Sequence, residues 1–161
     1  MDNQNRYLSE REILQIAEES LNKTLGQLGL GSFKTESHKG GIGTFVEEGL
    51  YGYKANSDNN PDFIKAGIEL KVTPVKQNEN GTFSSKERLV LNMIDYFDED
   101  KATFETSSFY RKNRRLLIYF YHFLKGYPET DFKITAYDLY EFEKSSEFKV
   151  IKRDWEIIHA K

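Results

Sequence analysis

Between residues 68 and 72 apolar and polar side chains alternate without a break, in the order Ile68, Glu69, Leu70, Lys71, Val72. A period of two marks a β-strand with one buried face. Ile68, Leu70 and Val72 fall on one face, and Glu69, Lys71 and Thr73 on the other. An acid and an amine two positions apart therefore project side by side. Asp62 stands just upstream, behind the turn-prone stretch Asn56-Ser57-Asp58-Asn59-Asn60-Pro61, where a bend can return its carboxylate to Glu69. Two carboxylates and one amine converging on a point can hold a divalent cation and activate a water, which suits metal-assisted cleavage of a phosphodiester. The plain alternative is a solvated strand face, on which Glu-x-Lys pairs are common. The Pro-Asp step, the spacing from Asp62 to Glu69 and a second acidic element upstream weigh against it.

That upstream element is Lys39-Gly40-Gly41-Ile42-Gly43-Thr44-Phe45-Val46-Glu47-Glu48-Gly49-Leu50. Its glycines form a flexible entry, and Ile42, Phe45, Val46 and Leu50 then recur at helical spacing. The pattern predicts a short helix packed on the strand, with Glu47 or Glu48 leaving the edge of the stripe as a third carboxylate. An amphipathic helix with both glutamates in water fits the pattern equally well. The Gly-Gly-x-Gly run is no nucleotide fingerprint, because no strand of the required spacing precedes it.

The coarse organisation is α/β. Ser9 and Glu12 form a capping box that opens a helix with apolar positions Ile13, Ile16, Ala17, Leu21, Leu25 and Leu28, ended by Gly29 and Gly31. After the Glu69 strand, Asn80-Gly81 predicts a hairpin turn into a strand near residues 88–93. Residues 116–123 and 132–140 read as later strands, separated by Gly126-Tyr127-Pro128, and Phe148, Ile151, Trp155 and Ile158 mark a closing amphipathic helix. His122, in an aromatic strand, reads as a packed residue rather than a ligand.

The chain of 161 residues fits one domain, and its 12 Phe and 10 Tyr supply large side chains for a core. The longest apolar run is too short to span a bilayer, which argues against a membrane protein, and no signal peptide is expected at the start. Without cysteine there is neither a disulfide nor a thiolate metal site, and a reducing cytoplasm is the expected location. A net charge of −3 sits awkwardly with a polyanionic partner, so the distribution of charge matters more. The densest basic run is Arg111-Lys112-Asn113-Arg114-Arg115, expected at a strand mouth after a Thr-Ser-Ser turn; Lys34, His38 and Lys39 form a second cluster.

Taken together, Lys39-Gly40 through Glu47, then Asp62, then Gly67-Ile68-Glu69-Leu70-Lys71, resemble the MutH-like endonucleases of the PD-(D/E)xK nuclease superfamily. Residues 84–94, Phe104-Glu105-Thr106-Ser107-Ser108-Phe109 and Asp154-Trp155-Glu156 bring the chain closer to type II restriction enzymes that cut at GATC than to the mismatch-repair nickase. The resemblance implies a restriction-endonuclease-like mixed central β-sheet flanked by α-helices, over a single domain of residues 1–161. It also implies Mg²⁺ as cofactor, with Glu47, Asp62 and Glu69 as metal ligands, Lys71 as the catalytic lysine, and Lys112 (or Arg114 in its place) as a second lysine at the scissile phosphate. Double-stranded DNA is the implied partner, contacted by Lys39, Lys86, Arg88, Arg111, Lys112 and Arg114. Relatives continue beyond the Asp-Trp-Glu helix, so the expectation is a piece of a longer restriction enzyme, paired as a homodimer or with a second homologous domain. The rival readings are a strand-nicking repair endonuclease with the same site and a DNA-binding or regulatory module without catalysis.

Overall fold

The computed structural model describes residues 3–33, 41–55, 57–91 and 96–161. Four strands, β1 (Glu69–Gln77), β2 (Phe83–Ser85), β3 (Arg115–His122) and β4 (Lys133–Glu141), form one sheet in the order β2-β1-β3-β4. The central pair β1 and β3 is parallel, and both outer pairs are antiparallel. The helices are α1 (Glu10–Ser20), α2 (Ile42–Thr44), which continues as a π-helical turn over Phe45–Leu50, α3 (Tyr96–Glu99), α4 (Ser108–Asn113) and α5 (Phe148–His159). This is the mixed α/β sheet with flanking helices expected from the sequence.

Alternation along β3 divides the core in two. Leu117 and Tyr119 face a cluster built with Ile13, Ala17, Phe45, Val46, Phe63, Ile68 and Leu70. Leu116 and Ile118 face a second cluster, around Phe104, Tyr110, Phe142 and Trp155. In the parallel register Glu69 stands beside Leu116, and Lys71 beside Ile118. Neighbours at one register share a face, so Glu69 and Lys71 point toward the α4 and α5 side. The polar face of β1 is thus covered by a protein layer.

Two expected boundaries move. The capping box of α1 is present, but the helix ends at Ser20 instead of running to Leu28. Asn22 turns into the left-handed region with φ 61, and the chain docks on the edge of β4 through Asn22 N–H to the Ile134 carbonyl (2.9 Å) and Leu25 N–H to the Phe132 carbonyl (2.7 Å). Backbone pairing with the sheet wins over helix continuation. The strand after the hairpin lies at Phe83–Ser85, paired with residues 75–77 of β1, while described residues 88–91 have no regular structure. The basic run leads into the mouth of β3 as expected, but as a helix: Ser107 caps α4 by accepting from Tyr110 N–H at 3.0 Å, Arg111 to Asn113 are helical, and Arg115 opens β3. His122 is half-buried, edge-on to Phe83, as a packed residue.

Candidate active site

The site begins with a tight return of the chain. Phe63 and Ile68 pair as an antiparallel bridge, with Phe63 N–H donating to the Ile68 carbonyl at 2.9 Å and Gly67 N–H to the Phe63 carbonyl at 2.8 Å. Gly67 takes φ +66, where a side chain would be strained. Closing residues 63–68 in this way brings the two flanking acids together. Asp62 N–H donates to Glu69 Oε2 at 3.2 Å, and Leu70 N–H donates to Asp62 Oδ2 at 2.9 Å. The Asp62 carboxylate does return to Glu69, but through the loop of residues 63–68 that follows Asp62 and not through the turn-prone stretch before it.

Two lysines approach from different elements. Lys71 Nζ lies 3.2 Å from Glu69 Oε1 and donates to the Leu91 carbonyl at 2.8 Å. Lys112 Nζ lies 3.9 Å from the same Glu69 oxygen and donates to the Asp58 carbonyl at 2.9 Å. Lys112 reaches inward because it shares the face of α4 with Ser108, one turn away. Both lysines line a cavity of about 400 Å³ whose wall also includes Glu47, Asp62 and Glu69. The cavity therefore joins all five residues expected to carry the chemistry.

Glu47 arrives on the π-helical turn, whose bond runs from Tyr51 N–H to the Val46 carbonyl at 3.1 Å. Of the two candidate glutamates, Glu47 lines the cavity, while Glu48 accepts from Ala55 N–H at 3.2 Å. Burial, then repulsion from Asp62 and Glu69, pushes the Glu47 carboxyl up to about 7. Burial likewise raises Glu69, reinforced by Asp62 and opposed by Lys71 and Lys112. Asp62 is also raised by burial, against the stabilising Leu70 N–H. Glu69 is only 4% exposed, which rules out the solvated-face reading.

Three acids outnumber two ammonium groups in this cavity, so a cation there would relieve their repulsion. Oxygen donors of this kind suit a hard divalent ion. As they stand, among the described residues, no three acidic or histidine side chains are drawn together closely enough to hold one ion. Lys71 and Lys112 take up Glu69 Oε1 instead.

The other expected DNA-contacting residues lie apart. Arg111 and Arg114 occupy the opposite face of α4 and line a separate cavity of about 470 Å³ with Lys65 and Arg115. Arg111 donates to the Thr106 carbonyl at 3.2 Å, and Arg114 sits 3.9 Å from Glu143 and over the Tyr110 ring. Arg114 does not take the place of Lys112 at the acids. Lys86 is exposed, with Nζ 4.4 Å from the centre of the Phe123 ring, and Arg88 is exposed too; neither lines the acidic cavity. Lys39, with Lys34 and His38, falls outside the described residues.

One residue that positions the site gave no sequence signal. Arg6, buried at 6% exposure, donates from Nε to the Asp62 carbonyl at 2.9 Å and from Nη2 to the Pro61 carbonyl at 3.1 Å. Nη1 pairs with Asp58 at 2.8 Å. Nothing in a lone arginine near the start of a chain announces a clamp on a loop so distant in sequence.

Comparison with known proteins adds an independent line. The chain is 41% identical over 154 residues to the type II restriction enzyme Sau3AI of Staphylococcus aureus, an alignment covering 95% of this chain and 31% of the relative. The chain thus spans about a third of the length of that curated relative. A family profile described as "MutH: DNA mismatch repair enzyme MutH" matches residues 51–154, a stretch that contains Asp62, Glu69, Lys71 and Lys112. The chain belongs to the MutH family.

Proposed function

We propose that this chain is the nuclease domain of a type II restriction enzyme, cutting double-stranded DNA at GATC with Mg²⁺ as cofactor. The observation that carries the reading is the single cavity uniting Glu47, Asp62, Glu69, Lys71 and Lys112. The likeness to Sau3AI supports the restriction role.

Asp62, Glu69 and Glu47 would hold the cation. When bound, Mg²⁺ supplies Lewis-acid stabilisation of a phosphate's charge and acidifies water in the site. Lys71, held by the Leu91 carbonyl, presents its ammonium beside Glu69, where it orients the attacking water and counters developing charge. Lys112 brings a second positive charge from α4 to the same edge. Because Glu69 is buried, these charges act at reduced dielectric and count for more than they would in water. Arg111, Arg114, Lys86 and Arg88 offer exposed cations for backbone or groove contacts. Cutting both strands needs two sites or two successive events, so a second copy or a second homologous domain belongs to this reading.

A strand-nicking repair endonuclease is the second reading, favoured by the family profile's description. No helix among the described residues is long and apolar enough to cross a membrane. Incubation with Mg²⁺ and a plasmid carrying GATC sites, beside one lacking them, tests the proposal. Linear fragments from the first plasmid alone are expected. Nicked circles without linear product favour the repair reading, and no cleavage of either contradicts both.

A further inference from the structure

The return loop that joins Asp62 to Glu69 is a wall shared by two cavities. Asp62 and Glu69 line the acidic one, whereas Pro61, Lys65 and Gly67 line the cavity of about 470 Å³. Helix α4 divides in the same way, with Lys112 toward the acids and Arg111 and Arg114 toward the second cavity. The loop between them is held at both ends. Arg6 donates to the Pro61 and Asp62 carbonyls, and Arg115 Nη1 donates to the Ala66 carbonyl at 2.6 Å. Arg115 is also paired with Glu10 of α1 and, at 3.6 Å, with Glu141 of β4, so its charge is taken up and it acts as a brace. The two cavities are thereby kept in a fixed relation.

The second cavity gathers positive charge. Lys65, Arg111 and Arg114 are exposed and line it, and Glu105, the one acid among its described lining residues, is already paired with Lys152. Arg111 uses one N–H on the Thr106 carbonyl, and a guanidinium carries several more. The Arg114–Glu143 pair is long, at 3.9 Å, and both side chains are about half exposed, which makes such a pair weak. Three like charges around one hollow repel each other, and an anion seated among them removes that repulsion. Two guanidinium forks and an ammonium match the oxygens of a phosphate.

We infer that this cavity seats a backbone phosphate of the bound duplex, distinct from the one cut, with Lys65, Arg111 and Arg114 as its donors. This rests on the reading of the chain as a DNA nuclease. Lys65 is the decisive residue, because it stands on the loop between the two acids. A phosphate held there fixes the position of the strand relative to Asp62 and Glu69.

The test compares wild type, Lys65→Ala and Lys65→Arg in binding a GATC duplex in Ca²⁺, one backbone phosphate at a time being replaced by an uncharged methylphosphonate. Lys65 is exposed, so melting temperatures equal to that of wild type are expected and check the fold. In wild type, neutralising the seated phosphate should weaken binding about five- to tenfold. In Lys65→Ala the unmodified duplex should bind more weakly, the log–log salt slope should fall by about 0.9, and the same neutralisation should cost about threefold less. Lys65→Arg should keep the wild-type pattern. A Lys65→Ala protein with wild-type affinity, or with the wild-type cost at every position, overturns the phosphate seat, while plasmid cleavage by wild type keeps the nuclease reading. No cleavage in Mg²⁺, with the position-specific loss intact, overturns the nuclease reading and keeps the seat. A wild-type protein that binds no duplex overturns both.

Discussion

Arg6 and Asp62 are joined through the backbone: the guanidinium Nε donates to the Asp62 carbonyl at 2.9 Å, across a sequence separation of 56. The same guanidinium holds Pro61 and Asp58. Asp62 is therefore presented to the cavity by a loop pinned from behind, with its own carboxylate left for the site.

Arg6→Ala should unfold the chain more readily, by about 2–4 kcal/mol in urea denaturation, because two buried carbonyls lose their donor and Asp58 loses an ion pair. Arg6→Lys should recover less than half of this, since one ammonium cannot span three acceptors in different directions. A loss below about 0.5 kcal/mol for Arg6→Ala contradicts the clamp.

Lys71→Ala should leave a cooperative fold and lower DNA cleavage by a factor of about 100 or more. Among the described residues, the ammonium's partners are Glu69 and one carbonyl at the cavity wall, so its packing role is small. Circular dichroism melts and cleavage rates measured on the same preparation separate the two. Loss of activity only in proportion to unfolded protein points to a structural lysine.

The acids predict a pH dependence of defined sign. Glu47 has its carboxyl raised from 4.5 to about 7 in the folded chain. The folded state holds that proton more tightly, so the contribution to stability is full below pH 4.5 and is lost as pH rises through 7. Metal-free protein should melt lower at about pH 8 than at about pH 5.5, and Glu47→Gln should flatten the difference. Added Mg²⁺ should raise the melting temperature more at about pH 8 than at about pH 6, because ionised acids bind it without first releasing protons. An equal Mg²⁺ effect at both values contradicts the raised carboxyl.

The basic run should divide by the faces of α4. Arg111→Ala with Arg114→Ala should reduce the log–log salt slope of DNA affinity by about 0.9 for each phosphate no longer neutralised, with similar effect on any sequence. Lys112→Ala should lower cleavage more than affinity, since its ammonium points to Glu69. Filter binding across a salt series, beside cleavage rates, distinguishes them. Equal falls in affinity and cleavage for Lys112→Ala contradict the division.

Local signals were readable where the chemistry is local. The alternation through residues 68–72 locates β1, the Ser9 and Glu12 pair starts α1, and the apolar spacing around Trp155 outlines α5. What could not be read depends on distant backbone. The early end of α1 comes from pairing of residues 22–25 with β4, and the shift of the second strand to Phe83–Ser85 from the register of β1. The choice of Glu47 over Glu48 follows from the π-helical turn, which no 3.6-residue pattern contains. Asp62, Glu69 and Lys71 stand out because a tight loop makes them neighbours. Arg6 serves the site from a residue type and position that carry no motif.

The most direct measurement of the central claim is plasmid cleavage by wild type and Asp62→Ala, each with Mg²⁺ and with EDTA, alongside DNA binding by both. Mg²⁺-dependent cutting by wild type, its loss in EDTA and in Asp62→Ala, and near-equal DNA binding are the expected results. Cleavage by Asp62→Ala at the wild-type rate, or by wild type in EDTA, contradicts the acidic cavity as the place where the phosphodiester is cut.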